Sequence, residues 1–92
     1  MAKLYKDDGT VLEIEPRNGR RFKLEELYEI LECELVQMVF LRGSQIMLID
    51  EEGKLTKSTF NKNATAIFNE VPRISYDWIA GHAIVCEQNQ FV

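Results

Sequence analysis

Two apolar runs constrain this chain more than anything else in it. Leu35, Val36, Met38, Val39, Phe40 and Leu41 crowd residues 34–41, and Ile46, Met47, Leu48 and Ile49 fill residues 45–50. Only Arg42, Gly43 and Ser44 separate them. Neither run approaches the roughly 18 residues of a membrane span. A short stretch that is apolar at almost every position suits a strand covered on both faces. The expectation is a hairpin of two central strands.

The other elements follow from periodicity and turn chemistry. Residues 3–6 and 10–15 read as strands on either side of Asp7, Asp8 and Gly9. Asp-Gly supplies the positive backbone angles of a tight hairpin turn, and alternation puts Leu12 and Ile14 on one face. After a break at residues 16–19, Leu24, Leu27, Tyr28 and Leu31 recur at helical spacing. Glu25, Glu26, Glu29 and Glu32 take the other side, while Lys23 stands where Ser or Thr would cap best. Residues 50–54 form a turn and residues 57–60 an extended stretch. Asn61 or Asn63 then caps a short helix over 64–69, with Ala64, Ile67 and Phe68 inward. Pro72 stops it, residues 74–78 connect, and residues 79–86 form the last strand, with Ile84 and Val85 as its apolar pair.

The order is ββαββαβ in one domain, residues 1–92, with no repeat or linker. The fold class is α+β: a four- or five-stranded mixed or antiparallel sheet, one main helix and one short helix. The main helix, 24–31, should cover one face, with the short helix beside it or at an edge. Leu24, Leu27, Leu31, Val39, Leu41, Leu48, Ile67 and Ile84 are expected in one core.

Several spaced pieces carry a resemblance. They are Phe22-Lys23-Leu24-Glu25-Glu26-Leu27, Asp50-Glu51-Glu52-Gly53-Lys54-Leu55, Asn61-Lys62-Asn63-Ala64-Thr65 and Asp77-Trp78-Ile79-Ala80-Gly81. In this order they resemble a family of small uncharacterised domains encoded by phages, plasmids and conjugative elements of bacteria. The resemblance runs from about Leu4 to Cys86. Lys23 departs from the family's Ser or Thr before Leu-Glu-Glu. Glu32-Cys33-Glu34 departs from its Gly near the end of the first helix. The resemblance implies a mobile-DNA setting and brings no established activity.

Chemistry is sparse. With 92 residues the core is thin, since a chain this size buries only about 60–65% of its unfolded surface. A large catalytic cavity would remove much of it. The only histidine, His82, and Cys86 share a strand about 13 Å apart at roughly 3.3 Å per residue, too far to exchange a proton. One His and two Cys without Cys-x-x-Cys spacing make no metal site, and Asp50-Glu51-Glu52 lacks the alternating ligands of a calcium loop. No phosphate loop or nucleophile elbow is present, and no cofactor is implied.

Two cysteines are too few for a disulfide scaffold, and the N-terminus lacks an apolar signal core. The expected compartment is the cytoplasm. A net charge of −4 argues against nucleic acid as a partner. The expected role is a non-enzymatic interaction module of a mobile element that binds a protein partner. The alternative is an anionic-ligand binder or enzyme using the one basic cluster, Arg17, Arg20 and Arg21. Those arginines also suit pairing with the following helix's glutamates. Asn61, Asp77, Trp78 and His82 complete the candidate binding residues, with Trp78 either a binding anchor or a lid on the core. A symmetric homodimer is expected through the edge of residues 81–87 or the Trp78 surface.

Overall fold

The computed structural model describes residues 2–56, 59–72 and 77–91. Strands β1 (Ala2–Tyr5), β2 (Val11–Ile14), β3 (Val36–Phe40), β4 (Gln45–Asp50) and β5 (Ala83–Glu87) form one five-stranded sheet. Its order is β2-β1-β5-β4-β3, and every neighbouring pair is antiparallel. The helices are α1 (Leu24–Leu31), a four-residue α2 (Gly53–Thr56) and α3 (Lys62–Asn69), with a 3₁₀ turn at Gln88–Gln90. The fold is α+β, and the antiparallel five-stranded sheet and α1 follow the sequence expectation, but α2 is an additional helix beginning in the expected turn. The expectations for residues 57–58 and 74–76 lie outside the described residues.

The first hairpin turns as its residues require. Gly9 N–H donates to the Lys6 carbonyl at 3.0 Å, and Lys6 N–H to the Thr10 carbonyl at 2.8 Å. Gly9 takes a positive φ of 95°. This is a tight turn closed by a glycine bulge, which sets the register Leu4–Leu12 and Ala2–Ile14.

Alternation then sorts the strands onto two faces. Ala2, Leu4, Ile46, Leu48, Ile84 and Cys86 pack under Leu27 and Leu31 of α1, with Phe22 beside them. Met47, Ile49 and Ala83 point the other way and pack against Ala64 of α3 and Ile79. The sheet therefore carries two cores, where one was expected. The short helix lies on the face opposite α1, not beside it. Leu27, Leu31, Leu48 and Ile84 belong to the first core; Val39, Leu41 and Ile67 flank the second. Leu24 is 46% exposed, because it starts α1 at the rim of the sheet.

Strand order departs from expectation in two places. β4 is central, with five of its six residues buried, but β3 is an edge strand despite its apolar run. β5, expected at an edge, lies between β1 and β4 and is paired on both sides. A dimer through its edge is therefore ruled out: its backbone groups already serve two neighbours.

α1 begins without a side-chain cap from Lys23 and ends on Glu32 in the left-handed conformation, φ 53°. Left-handed geometry costs an ordinary residue roughly 1–2 kcal/mol, part of which glycine recovers. Glu32→Gly should stabilise the fold by about 0.5–1 kcal/mol, a rise in melting temperature of about 2–8 °C. An unchanged or lower melting temperature would show that Glu32's side-chain contacts outweigh the strain.

Candidate functional site

The second face carries a groove where three short pieces converge. β4 ends at Asp50, whose Oδ1 accepts the Glu52 N–H at 2.9 Å and whose Oδ2 lies 3.4 Å from the Thr56 hydroxyl. This side-chain turn leads the chain from the strand directly into α2. Gly53, the first residue of α2, lies against the backbone of Ala80: a Cβ there would sit 2.7 Å from the Ala80 carbonyl oxygen. Only glycine lets the two segments approach this closely.

Residues 77–80 are clamped from the other side by α3. The Asn69 amide donates to the Asp77 carbonyl at 2.7 Å, and Ile79 N–H donates to the buried Thr65 hydroxyl at 2.9 Å. Lys54 reaches across from α2 to pair with Asp77. Its ammonium also lies 5.1 Å from the centre of the Trp78 ring, in cation–π range. The Lys54 ammonium, helped by the Trp78 N–H, holds the Asp77 carboxyl below its ordinary range. Phe60 packs against Trp78 with ring centres 6.2 Å apart.

The space left between this clamp and β3 is about 180 Å³, lined by Val39, Ile49, Leu55, Phe68, Trp78 and Ile79. Gln37, Glu51 and Glu52 form its polar rim. Leu55 stands 84% exposed at the groove, and Phe60 is 48% exposed. Trp78 itself is half-buried and forms part of the groove's wall.

Of the residues singled out from sequence, Asp77 and Trp78 meet here. Asn61 lies directly behind, buried, with all of its amide engaged. Its Oδ1 caps α3 by accepting the Ala64 N–H at 3.0 Å. Its Nδ2 donates to the Tyr5 carbonyl at 2.9 Å and to the Gly81 carbonyl at 2.8 Å. It fastens α3 to the sheet.

The basic turn lies elsewhere, beside α1. Arg17 forms a two-pronged pair with Glu29, at 3.0 and 3.3 Å, and its backbone N–H donates to the buried Glu26 at 3.0 Å. Hydrogen bonding to Glu29 raises the Arg17 pKa, and Arg17 lowers that of Glu29. Arg20 and Arg21 are exposed, and their backbone N–H groups share the Asn18 side-chain oxygen. The recess beside this turn is about 200 Å³, and of the three arginines only Arg17 lines it, alongside Glu25 and Glu26.

His82 is separate again. Its Nδ1 accepts the Asp7 N–H at 3.2 Å, and its Nε2 lies 3.4 Å from a Glu32 carboxylate oxygen. Cys86 is buried in the first core, and burial pushes its thiol up to about 11, far from a reactive thiolate. Among the described residues no group of His, Cys, Asp and Glu is arranged to hold a metal ion. No helix among them is long and apolar enough to cross a membrane.

Lys54, Leu55, Phe60 and Phe68 were not among the candidate site residues read from sequence. The Lys54–Asp77 pair spans 23 residues, and no local pattern signals it. Leu55 carried a weak signal, a lone leucine after a charged turn.

Comparison with known proteins gives one match. Residues 3–91 fit the family model described as Domain of unknown function (DUF3846). No curated protein and no solved structure matches the chain.

Proposed function

The chain belongs to the DUF3846 family, and from its geometry we propose that it is a protein-interaction module whose docking site is the groove beside Trp78. The observation that carries this reading is that Leu55, 84% exposed, lines that groove together with Trp78, whose ring also packs against the exposed Phe60. Aromatic side chains beside a small pocket are the usual anchors of protein interfaces. A space of about 180 Å³ is below the roughly 300–1,000 Å³ of small-molecule sites. It suits one large apolar side chain of a docked segment.

Its polar rim adds Glu51 and Glu52, which favour a basic residue next to that anchor. The reading keeps the mobile-element setting implied by the resemblance and the cytoplasmic compartment expected from sequence. The alternative, an anionic ligand on the Arg17, Arg20 and Arg21 turn, has less behind it. Arg17 is engaged by Glu29 and Glu26, and the recess there is small and shared with carboxylates.

The test is selection from a displayed random-peptide library. Peptides with an apolar anchor should enrich on the native protein. They should bind Leu55→Lys and Trp78→Ala at least about tenfold more weakly, the equivalent of about 1.4 kcal/mol at an anchor. Leu55 is so exposed that Leu55→Lys should leave the melting temperature unchanged. Enriched peptides that bind both variants as tightly as the native protein would remove the groove from the account.

A further inference from the structure

On the first face, one row of side chains runs straight across the sheet. Met38 pairs with Leu48, Leu48 with Ile84, Ile84 with Leu4, and Leu4 with Leu12. Leu48, Ile84 and Leu4 are buried, and the row then stops at Leu12, which is 45% exposed at the outer strand. β2 is the outermost strand on that side and pairs with β1 alone.

The hairpin turn determines which of its backbone groups face out. Lys6 N–H bonds to the Thr10 carbonyl, so Leu12 and Ile14 are the next residues to bond with β1. The N–H and C=O groups of Val11 and Glu13 therefore point outward. Residues 10–14 contain neither lysine nor proline, the side chains that most often block an edge.

We infer that β2 is a self-pairing edge, on which a second copy of this chain docks its own β2 antiparallel about a two-fold axis. One register satisfies every constraint. Val11 bonds to the second copy's Glu13, Glu13 bonds to its Val11, and Leu12 meets Leu12 on the axis. The outward backbone groups are all used, and the apolar row continues from one sheet into the next. On the opposite face each Glu13 meets a valine rather than its own copy.

The glutamate's charge is also met within its own chain, since Lys3 lies directly across the ladder from Glu13. A register shifted to place Glu13 against Glu13 would oppose like charges and is disfavoured. The contact is distinct from the Trp78 groove, which lies at the β3 side of the sheet. A four-residue edge buries less than the roughly 1,200–2,000 Å² of a stable interface, so the dimer is weak and is populated only at high protein concentration.

Sedimentation equilibrium from micromolar to millimolar protein tests this. The mass of the native chain should rise from 10.7 kDa toward twice that value. Leu12→Lys places like charges on the axis and should remain at monomer mass throughout. Val11→Lys sets a lysine against the second copy's Glu13 and should tighten the dimer about fivefold, while Val11→Glu should weaken it by a similar factor. Val11 and Leu12 are exposed, so melting curves at low concentration should match the native chain and exclude misfolding as the cause. A native mass constant at 10.7 kDa overturns the inference. So does a dimer that responds identically to Val11→Lys and Val11→Glu. Leu55→Lys, which disables the groove, should leave the dimer unchanged.

Discussion

Asn61→Asp is expected to destabilise the protein by roughly 3–5 kcal/mol. The substitution exchanges the amide nitrogen for an oxygen. That nitrogen donates to the Tyr5 and Gly81 carbonyls, 2.9 and 2.8 Å away, at a residue only 1% exposed. An oxygen there faces two acceptors and donates to neither. The helix cap on Ala64 N–H survives, so the loss isolates the two ties between α3 and the sheet.

At roughly 4–8 °C per kcal/mol, the melting temperature should fall by more than about 12 °C. The effect should depend on pH with a definite sign. Burial between carbonyls raises the introduced carboxyl's pKa above its unfolded value of about 3.9. The folded state then holds the proton more tightly, so the destabilisation grows as pH rises from that value toward the folded pKa. The gap from the native protein should therefore be smaller near pH 4 than at pH 7. A variant melting within a degree or two of the native protein would show that Asn61 does not join the two halves of the fold.

Leu27→Ala should destabilise by roughly 2–4 kcal/mol. Leu27 is completely buried beneath α1, within the core that includes Phe22, Leu31, Ile46, Leu48 and Ile84. Truncation removes that packing and leaves a cavity that two rigid layers cannot close. Leu24 provides the control. It lies on the same apolar stripe of the sequence, yet it is nearly half exposed, and Leu24→Ala should fall within about 0.5 kcal/mol of the native protein. Equal effects at the two positions, measured by denaturant unfolding, would show that α1 is rotated from the orientation described here.

That contrast marks how far the sequence could be read. Helical spacing identified α1 to the residue, and the Asp-Gly turn identified the first hairpin, because both depend on local chemistry. Strand order depends on chain crossings that leave no local trace. The apolar run of β3 reads like that of β4, but β3 lies at the edge and its Phe40 is largely exposed. β5 read as an open edge because residues 81–87 hold no proline or lysine to block pairing. In the structure β5 is paired on both sides, and Ala83 shares the second core with Ala64 of α3.

The candidate site was legible in part. Asp77 and Trp78 stood out as an acidic and aromatic pair in a connection. Lys54, which pairs with one and covers the other, is distant in sequence. Asn61 was recognisable as a helix cap, but its donations to Tyr5 and Gly81 cross 56 and 20 residues.

The chain's single tryptophan makes the central claim directly measurable, because Trp78 forms a wall of the proposed docking groove. Titrating the native protein with an enriched apolar-anchored peptide that lacks tryptophan should shift Trp78 emission to the blue as water leaves the groove. The shift should saturate at the same concentration as binding, and Leu55→Lys should move both to higher peptide concentration together. Saturable binding with Trp78 emission unchanged would place the docking surface elsewhere on the molecule and contradict the account.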